Sequence, residues 1–253
     1  MAALAAAVLL LSACAGKEMV TVTFDDARMV GLAWDSPDSM DIRISVEYPV
    51  KGLKKNTLEM IRRQIANAAF HPAEPSGDIA AAAAVYIDSL AKEYRETNEE
   101  LWEDVIKDNE QGKNGGTWLS WTDNVTGYFS GGHEGLISYV VEHDSYTGGA
   151  HGLGQLDAIV LDLRDGSAVN ESDLFADGYE EGLSERLSTH LPEAFDDEES
   201  YEGLFVRQIA PNGNFMVSED GVTYIYQPYE IGPYSLGTIS VTVPWTELED
   251  LLK

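Results

Sequence analysis

From Val20 the chain alternates β-branched and polar positions through Val20-Thr-Val-Thr-Phe24, which predicts a strand. A second alternating run over residues 40–50 sets Ile42, Ile44, Val46 and Tyr48 on one face, and Asp35-Ser-Pro-Asp-Ser39 supplies a turn between the two. The period then lengthens. Asn56 offers an N-cap with Glu59 as reciprocal partner, and Leu58, Ile61, Ile65 and Ala68 follow at helical spacing. His71-Pro-Ala-Glu-Pro-Ser-Gly77 ends that helix. Asp78 caps a second one, with Ile79, Ala83, Ile87, Leu90 and Tyr94 on its apolar face. Leu101, Trp102, Val105 and Ile106 continue it toward Gly112, beyond a kink expected at Thr97-Asn98.

At Thr117 the period returns to two. Residues 118–129 and 136–143 predict a hairpin turning within Gly131-Gly-His-Glu-Gly135, and residues 155–163 predict a third strand. Glu171-Ser-Asp-Leu-Phe175 reads as one helical turn, and residues 178–189 as a helix with Leu183 and Leu187 inward. Asp196-Asp-Glu-Glu199 reads as a solvated loop. Residues 215–217 and 222–226 form another expected hairpin, Ile239, Val241 and Val243 a last strand, and Trp245, Leu248 and Leu251 a closing helix. This order predicts an α+β fold, an antiparallel sheet packed by helices.

Ahead of the first strand, residues 1–14 are a short apolar run, too short to span a bilayer. Leu11-Ser-Ala-Cys14 resembles the bacterial lipobox, although no positive segment precedes it. The resemblance implies an exported lipoprotein of the cell envelope, anchored to a bacterial membrane through Cys14. With a single Cys, the body holds neither a disulfide nor a thiolate metal site. Sixteen Lys and Arg against 44 Asp and Glu give a net charge of −28. Such a field repels nucleic acid and anionic lipid and favours cationic partners, leaving the lipid anchor as the expected membrane contact.

Two loops stand out. Tyr146-Thr-Gly-Gly-Ala-His-Gly152 carries a lone His among three glycines, room for close backbone approach or for a partner. Tyr226-Gln-Pro-Tyr-Glu-Ile-Gly-Pro-Tyr234 combines stiffening prolines with tyrosines. Tyr229, Glu230 and Tyr234 suit a rigid contact surface, with Glu230 receiving a Lys or Arg. The alternative packs the tyrosines over a sheet edge and pairs Glu230 internally. His151 reads as locking its loop through exposed backbone amides, or as touching a partner together with Tyr146, Gly148 and Gly149.

These loops, together with Leu161-Asp-Leu-Arg-Asp-Gly166 leading to Asp173-Leu-Phe175, and Asp220-Gly221 leading on to Val241-Thr-Val-Pro-Trp245, follow an order and spacing similar to the RsiV-like extracellular domain family. That family, of unknown function, occurs in lysozyme-sensing anti-sigma factors and peptidoglycan deacetylases. The resemblance implies an RsiV-like C-terminal domain at 115–253, preceded by a small N-terminal α/β module at 20–111, and a partner such as lysozyme, another cationic protein or cell-wall glycan. The chain lacks the cytoplasmic segment and spanning helix of the anti-sigma factors, so sigma-factor control is not expected.

Signals for catalysis are thin. Val22-Thr-Phe-Asp-Asp26 echoes polysaccharide deacetylases, but Ala27 replaces their Gly, and the His residues at 71, 133, 143, 151 and 190 include no pair four apart. We read Asp25-Asp26 as a strand end with an acidic turn. His143 and His151 could also meet across the glycine loop near Glu142 or Asp144. No Gly-x-Ser-x-Gly elbow exists. The expectation is a non-catalytic binding or sensing lipoprotein with no cofactor and no metal. The alternatives are a peptidoglycan- or glycan-modifying hydrolase or deacetylase, and a structural component of an envelope complex.

Overall fold

The structure is a computed structural model describing residues 4–5, 19–32, 36–74, 76–108 and 119–253, with the backbone alone at 4–5 and 103–108. Cys14 lies outside the described residues, as do Asp35, Gly112 and Trp118. The strands are β1 (Leu4–Ala5), β2 (Val20–Gly31), β3 (Ser39–Lys51), β4 (Trp121–His133), β5 (Leu136–Tyr146), β6 (Leu153–Asp162), β7 (Ala168–Val169), β8 (Phe215–Val217), β9 (Gly221–Tyr226) and β10 (Ile239–Pro244). The α-helices are α1 (Lys55–Phe70), α2 (Ile79–Asp108), α3 (Glu171–Leu174), α4 (Tyr179–His190) and α5 (Glu198–Glu202). Strands β2 to β7 form a mixed sheet in sequence order, with Leu4–Ala5 paired to Thr23 and Phe24 at the outer edge of β2. Strands β10, β9 and β8 form a second, antiparallel sheet.

The α+β class is as expected, but the large sheet is not wholly antiparallel. β3 and β4 run parallel, from Met40 opposite Trp121 to Val46 opposite Gly127. The helical layer explains this. The start of α2 shares a groove with Val50 at the far end of β3, and Tyr94, further along the helix, packs edge-on against Trp121 at 5.4 Å. The chain is thereby returned to the end of the sheet where β3 began, and β4 must run in the same direction. Strands from both expected modules thus share one sheet.

Alternation along the strands makes three layers. Met40, Ile42, Ile44 and Val46 of β3 and Ile137, Tyr139 and Val141 of β5 face the helices, against Ile61, Ile65, Ala83, Ile87 and Tyr94. Each such burial removes a side chain from water and stabilises by roughly 1.5–3 kcal/mol for the larger aliphatics. The intervening residues point to the other face. There Val140 and Ala158 meet Ile225, and the Ser138 hydroxyl both donates to the Val217 carbonyl at 2.8 Å and accepts from its amide at 2.7 Å. A buried carboxylate, Glu47, is satisfied by the Thr21 hydroxyl at 2.5 Å and the Phe129 amide at 3.3 Å.

Several local expectations are corrected. Helix α1 starts at Lys55, and its N-cap is Lys54, which is extended and makes no side-chain cap. Asn56 therefore lies inside the first turn. Helix α2 runs unbroken through Thr97-Asn98, where the buried Asn98 side chain satisfies itself within the helix, its Nδ2 donating to the Tyr94 carbonyl one turn back at 2.9 Å. The β4–β5 turn is only Glu134-Gly135, both at positive φ, which suits a tight hairpin. Gly131 and Gly132 belong to β4, where the register shifts. Asp25 and Asp26 are mid-strand in β2, not at an acidic turn: Asp25 accepts from Ser45 at 2.7 Å and Asp26 pairs with Arg28. Within the acidic stretch, Asp197 caps α5 by accepting from the Ser200 amide at 2.8 Å.

Candidate functional site

The two loops singled out in the sequence meet. Strands β5 and β6 close at the pair Ser145–Leu153, and the connecting loop turns through Gly148 at φ 101 and Gly149 at φ 93. Side chains rarely adopt such angles. The Tyr146 hydroxyl donates to the Gly149 carbonyl at 3.0 Å and ties the loop to its own strand. At Gly152 a β-carbon would lie 2.7 Å from the Ser145 carbonyl, so the strand pair closes only on glycine.

The second loop follows β9 and is built around Glu230. Its carboxylate accepts from the Gln227 amide at 2.7 Å and from the Asn212 side-chain amide at 2.8 Å, while the Glu230 amide donates back to the Gln227 carbonyl at 3.0 Å. Glu230 thus caps its own turn and does not reach the glycine loop. The turn forces Tyr229 to φ 72, a rare angle for a side-chain-bearing residue, and leaves it 54% exposed. Ile231 and Gly232, both buried, fix the loop to the body.

Across the junction the rings assemble. His151 stacks on Tyr234 with centroids 4.0 Å apart and planes 23° apart, and Tyr229 lies 5.7 Å from Tyr234. The Tyr234 hydroxyl donates to the Gly152 carbonyl at 2.8 Å. His151 Nδ1 lies 2.9 Å from that same carbonyl. A carbonyl can only accept, so Nδ1 carries a proton, and in the neutral ring Nε2 is an acceptor toward the Tyr229 hydroxyl 3.5 Å away. The expected bonds from His151 to orphan backbone amides are not formed; its ring meets a carbonyl and a stacked tyrosine instead.

Sequence reasoning missed the rest of this surface. The Phe205 amide donates to the Ile231 carbonyl at 2.9 Å, which seats the segment Phe205-Val206 beside the tyrosine loop. Phe205 is 61% exposed and Val206 45%. Leu153, next to the glycine loop, is also exposed. The only available signal was an apolar Leu204-Phe-Val206 run lying outside every predicted strand.

His143 does not join His151. It turns to α2, where Nε2 lies 2.7 Å from the Tyr86 hydroxyl, which in turn donates to Asp123 at 2.9 Å. Burial, reinforced by Asp123, pushes the Tyr86 phenol far above its ordinary range, so this hydroxyl keeps its proton. Among the described residues no three His, Cys, Asp or Glu side chains are placed to hold a metal ion together. Grooves of about 340, 630, 700 and 800 Å³ lie elsewhere, and none is lined by His151, Tyr229, Glu230 or Tyr234. The arrangement is a shallow aromatic shelf with one constrained imidazole, suited to contact with another surface.

Residues 172–246 match the family model for a protein of unknown function, DUF3298. The chain carries a DUF3298 domain. It contributes the tyrosine loop and Phe205-Val206, while the glycine loop comes from the large sheet, so the shelf straddles the domain's edge. A crystal structure of a DUF3298 family member from Bacteroides fragilis superimposes with a TM-score of 0.81 over 94% of each chain at 24% identity. A DUF3298 family protein from Pseudomonas aeruginosa aligns over 94% of this chain and 95% of its own with a TM-score of 0.61 and 16% identity. These likenesses establish the fold and reach beyond the DUF3298 domain into the N-terminal half. No curated protein matches the chain.

Proposed function

We propose that the protein is a non-catalytic envelope lipoprotein, anchored through Cys14, that binds or senses a cationic protein, and that its DUF3298 domain is part of an RsiV-like module whose partner is lysozyme or a protein of similar basicity. The observation that carries this reading is the shelf of exposed His151, Tyr229, Phe205 and Val206 beside half-buried Tyr234, on a chain of net charge −28. Rigid aromatic side chains lose little rotamer freedom on contact and are typical interface anchors. The surrounding negative field draws in a basic partner and makes association salt-dependent. Glu230, held by Gln227 and Asn212, shapes the shelf and is not its free charge. Processing before Cys14 would remove Leu4–Ala5 and leave Thr23 and Phe24 as a bare strand edge.

The test is calorimetric titration with hen lysozyme at about 50 mM and 500 mM salt. Binding is expected at low salt, weakened at least tenfold by high salt, and weakened about tenfold or more by combining Tyr229→Ala with Phe205→Ala. Absence of heat at low salt, or a double variant that binds like the parent, sinks the proposal.

A further inference from the structure

The charge of this protein is unevenly placed. Lys51, Lys54, Lys55, Arg62 and Arg63, five of its sixteen cations, fall within one short stretch that ends β3 and builds α1. None of the five makes an ion pair among the described residues, whereas Arg28, Arg43, Lys92, Arg164 and Arg186 are each paired with an acid. All but Arg62, which is half-buried, are exposed. Lys51, Lys55 and Arg62 line a groove of about 800 Å³ whose acids are Glu59 and Asp78. Arg62 is held there by its Nε donating to the Pro49 carbonyl at 2.7 Å, with its guanidinium 5.7 Å from the Tyr48 ring centre.

Two features make this cluster unusual. Lys54 caps α1 and Lys55 opens it, with no acid in the first turn. A helix N-terminus favours acids, and this chain has 44 of them to offer. Local stability therefore argues against the placement. The second feature is position. The described body enters its sheet at Val20, whose partner across the β2–β3 pair is Lys51. Cys14 lies six residues earlier in the chain, a span of at most about 20 Å when fully extended.

We infer that this basic pole docks on the anionic phospholipid headgroups of the membrane that holds the anchor, fixing the protein with α1's N-terminus toward the bilayer and the acidic remainder outward. The inference rests on the anchor reading for its geometry and on the unpaired cations for its chemistry. Net charge alone suggests repulsion from such a surface, but screening limits each interaction to about 8 Å at physiological salt, so the local pole decides. Each cation near an anionic bilayer strengthens binding by about fivefold.

The experiment uses the full chain carrying Cys14→Ser, which blocks lipidation, with vesicles of pure phosphatidylcholine or of phosphatidylcholine with 30 mol% phosphatidylglycerol. Any insertion of the apolar first residues is common to both vesicles, so their difference isolates the pole. Binding to the anionic vesicles is expected to be at least tenfold tighter. Adding Lys54→Glu and Lys55→Glu removes that preference, while Lys92→Glu, made at a cation already paired with Glu96, preserves it. Acids at α1's start suit the helix, and matching thermal melts confirm folding. Equal binding to both vesicles, or a double variant that retains the preference, overturns the inference. So does a pole that captures heparin while showing no vesicle preference, which assigns it to a soluble polyanion. Palmitate labelling of the parent and of Cys14→Ser in cells tests the anchor separately: an unlabelled parent removes the anchor without altering the vesicle result.

Discussion

Two glycine-bearing segments of similar appearance, residues 146–152 and 161–166, do different physical work. In the second, Gly166 at φ 86 sits against α1, and a β-carbon there would lie 2.7 Å from the Thr57 carbonyl and 2.9 Å from the Met60 β-carbon. The turn is further bound by the Thr57 hydroxyl donating to the Arg164 carbonyl at 3.3 Å and by the Asp162 carboxylate accepting from the Arg164 amide at 2.7 Å. In the first, Gly149 at φ 93 has nothing within reach of such a β-carbon. One glycine exists so that a helix can approach. The other exists only to shape a loop whose rings face outward. The surroundings of a glycine, not its presence in a motif, separate a packing joint from a contact surface.

The strongest way to break this contrast is Gly166→Ala. Left-handed strain adds to a steric clash with helix backbone, an expected loss of about 2–4 kcal/mol. For a chain of this length that lowers Tm by about 5–12 °C in a calorimetric scan; a change within error would dissolve the distinction. Asp162→Asn comes next. Hydrogen bonds from the Arg164 side chain hold the Asp162 carboxyl below its ordinary range, so its contribution is present above about pH 4 and is lost as pH falls through the lower, folded value. At pH 7 the substitution is expected to remove about 1–2 kcal/mol. Melts repeated toward pH 2.5 should bring variant and parent together, and a constant gap would mean the carboxylate's charge is irrelevant. Gly149→Ala is the mildest. Strain without a clash predicts about 1 kcal/mol and a Tm lower by about 2–4 °C, with a drop as large as that of Gly166→Ala counting against the contrast.

How much of this was readable in the chain follows from which forces are local. Ile42, Ile44 and Val46 announce a strand, and Leu183 and Leu187 a helix face, because period and burial coincide there. The direction of β4 was not readable, since it depends on where α2 delivers the chain, a matter of helix length and packing. Nor was the start of α1: Asn56 has the residue type of a cap, but Lys54 takes the extended conformation that sets the boundary. Within the site, Tyr229, Tyr234 and His151 could be named because glycine and proline mark rigid loops. Their meeting could not, as it spans 78 positions between His151 and Tyr229. Phe205 and Val206 escaped notice because exposure of an apolar residue leaves no trace in its own sequence.

The seam between the two sheets has a practical bearing on cutting this chain. Val217 exchanges both of its backbone hydrogen bonds with the Ser138 hydroxyl, and Ile225 packs in a cluster with Val140 and Ala158, all three of these partners contributed from before residue 172. A fragment limited to residues 172–246 would expose the apolar side chains of Val217 and Ile225 to solvent and trade the Ser138 hydrogen bonds of Val217 for water. The recognisable unit of sequence is therefore smaller than the unit that folds, and any graft or chimera needs the preceding strands to travel with it.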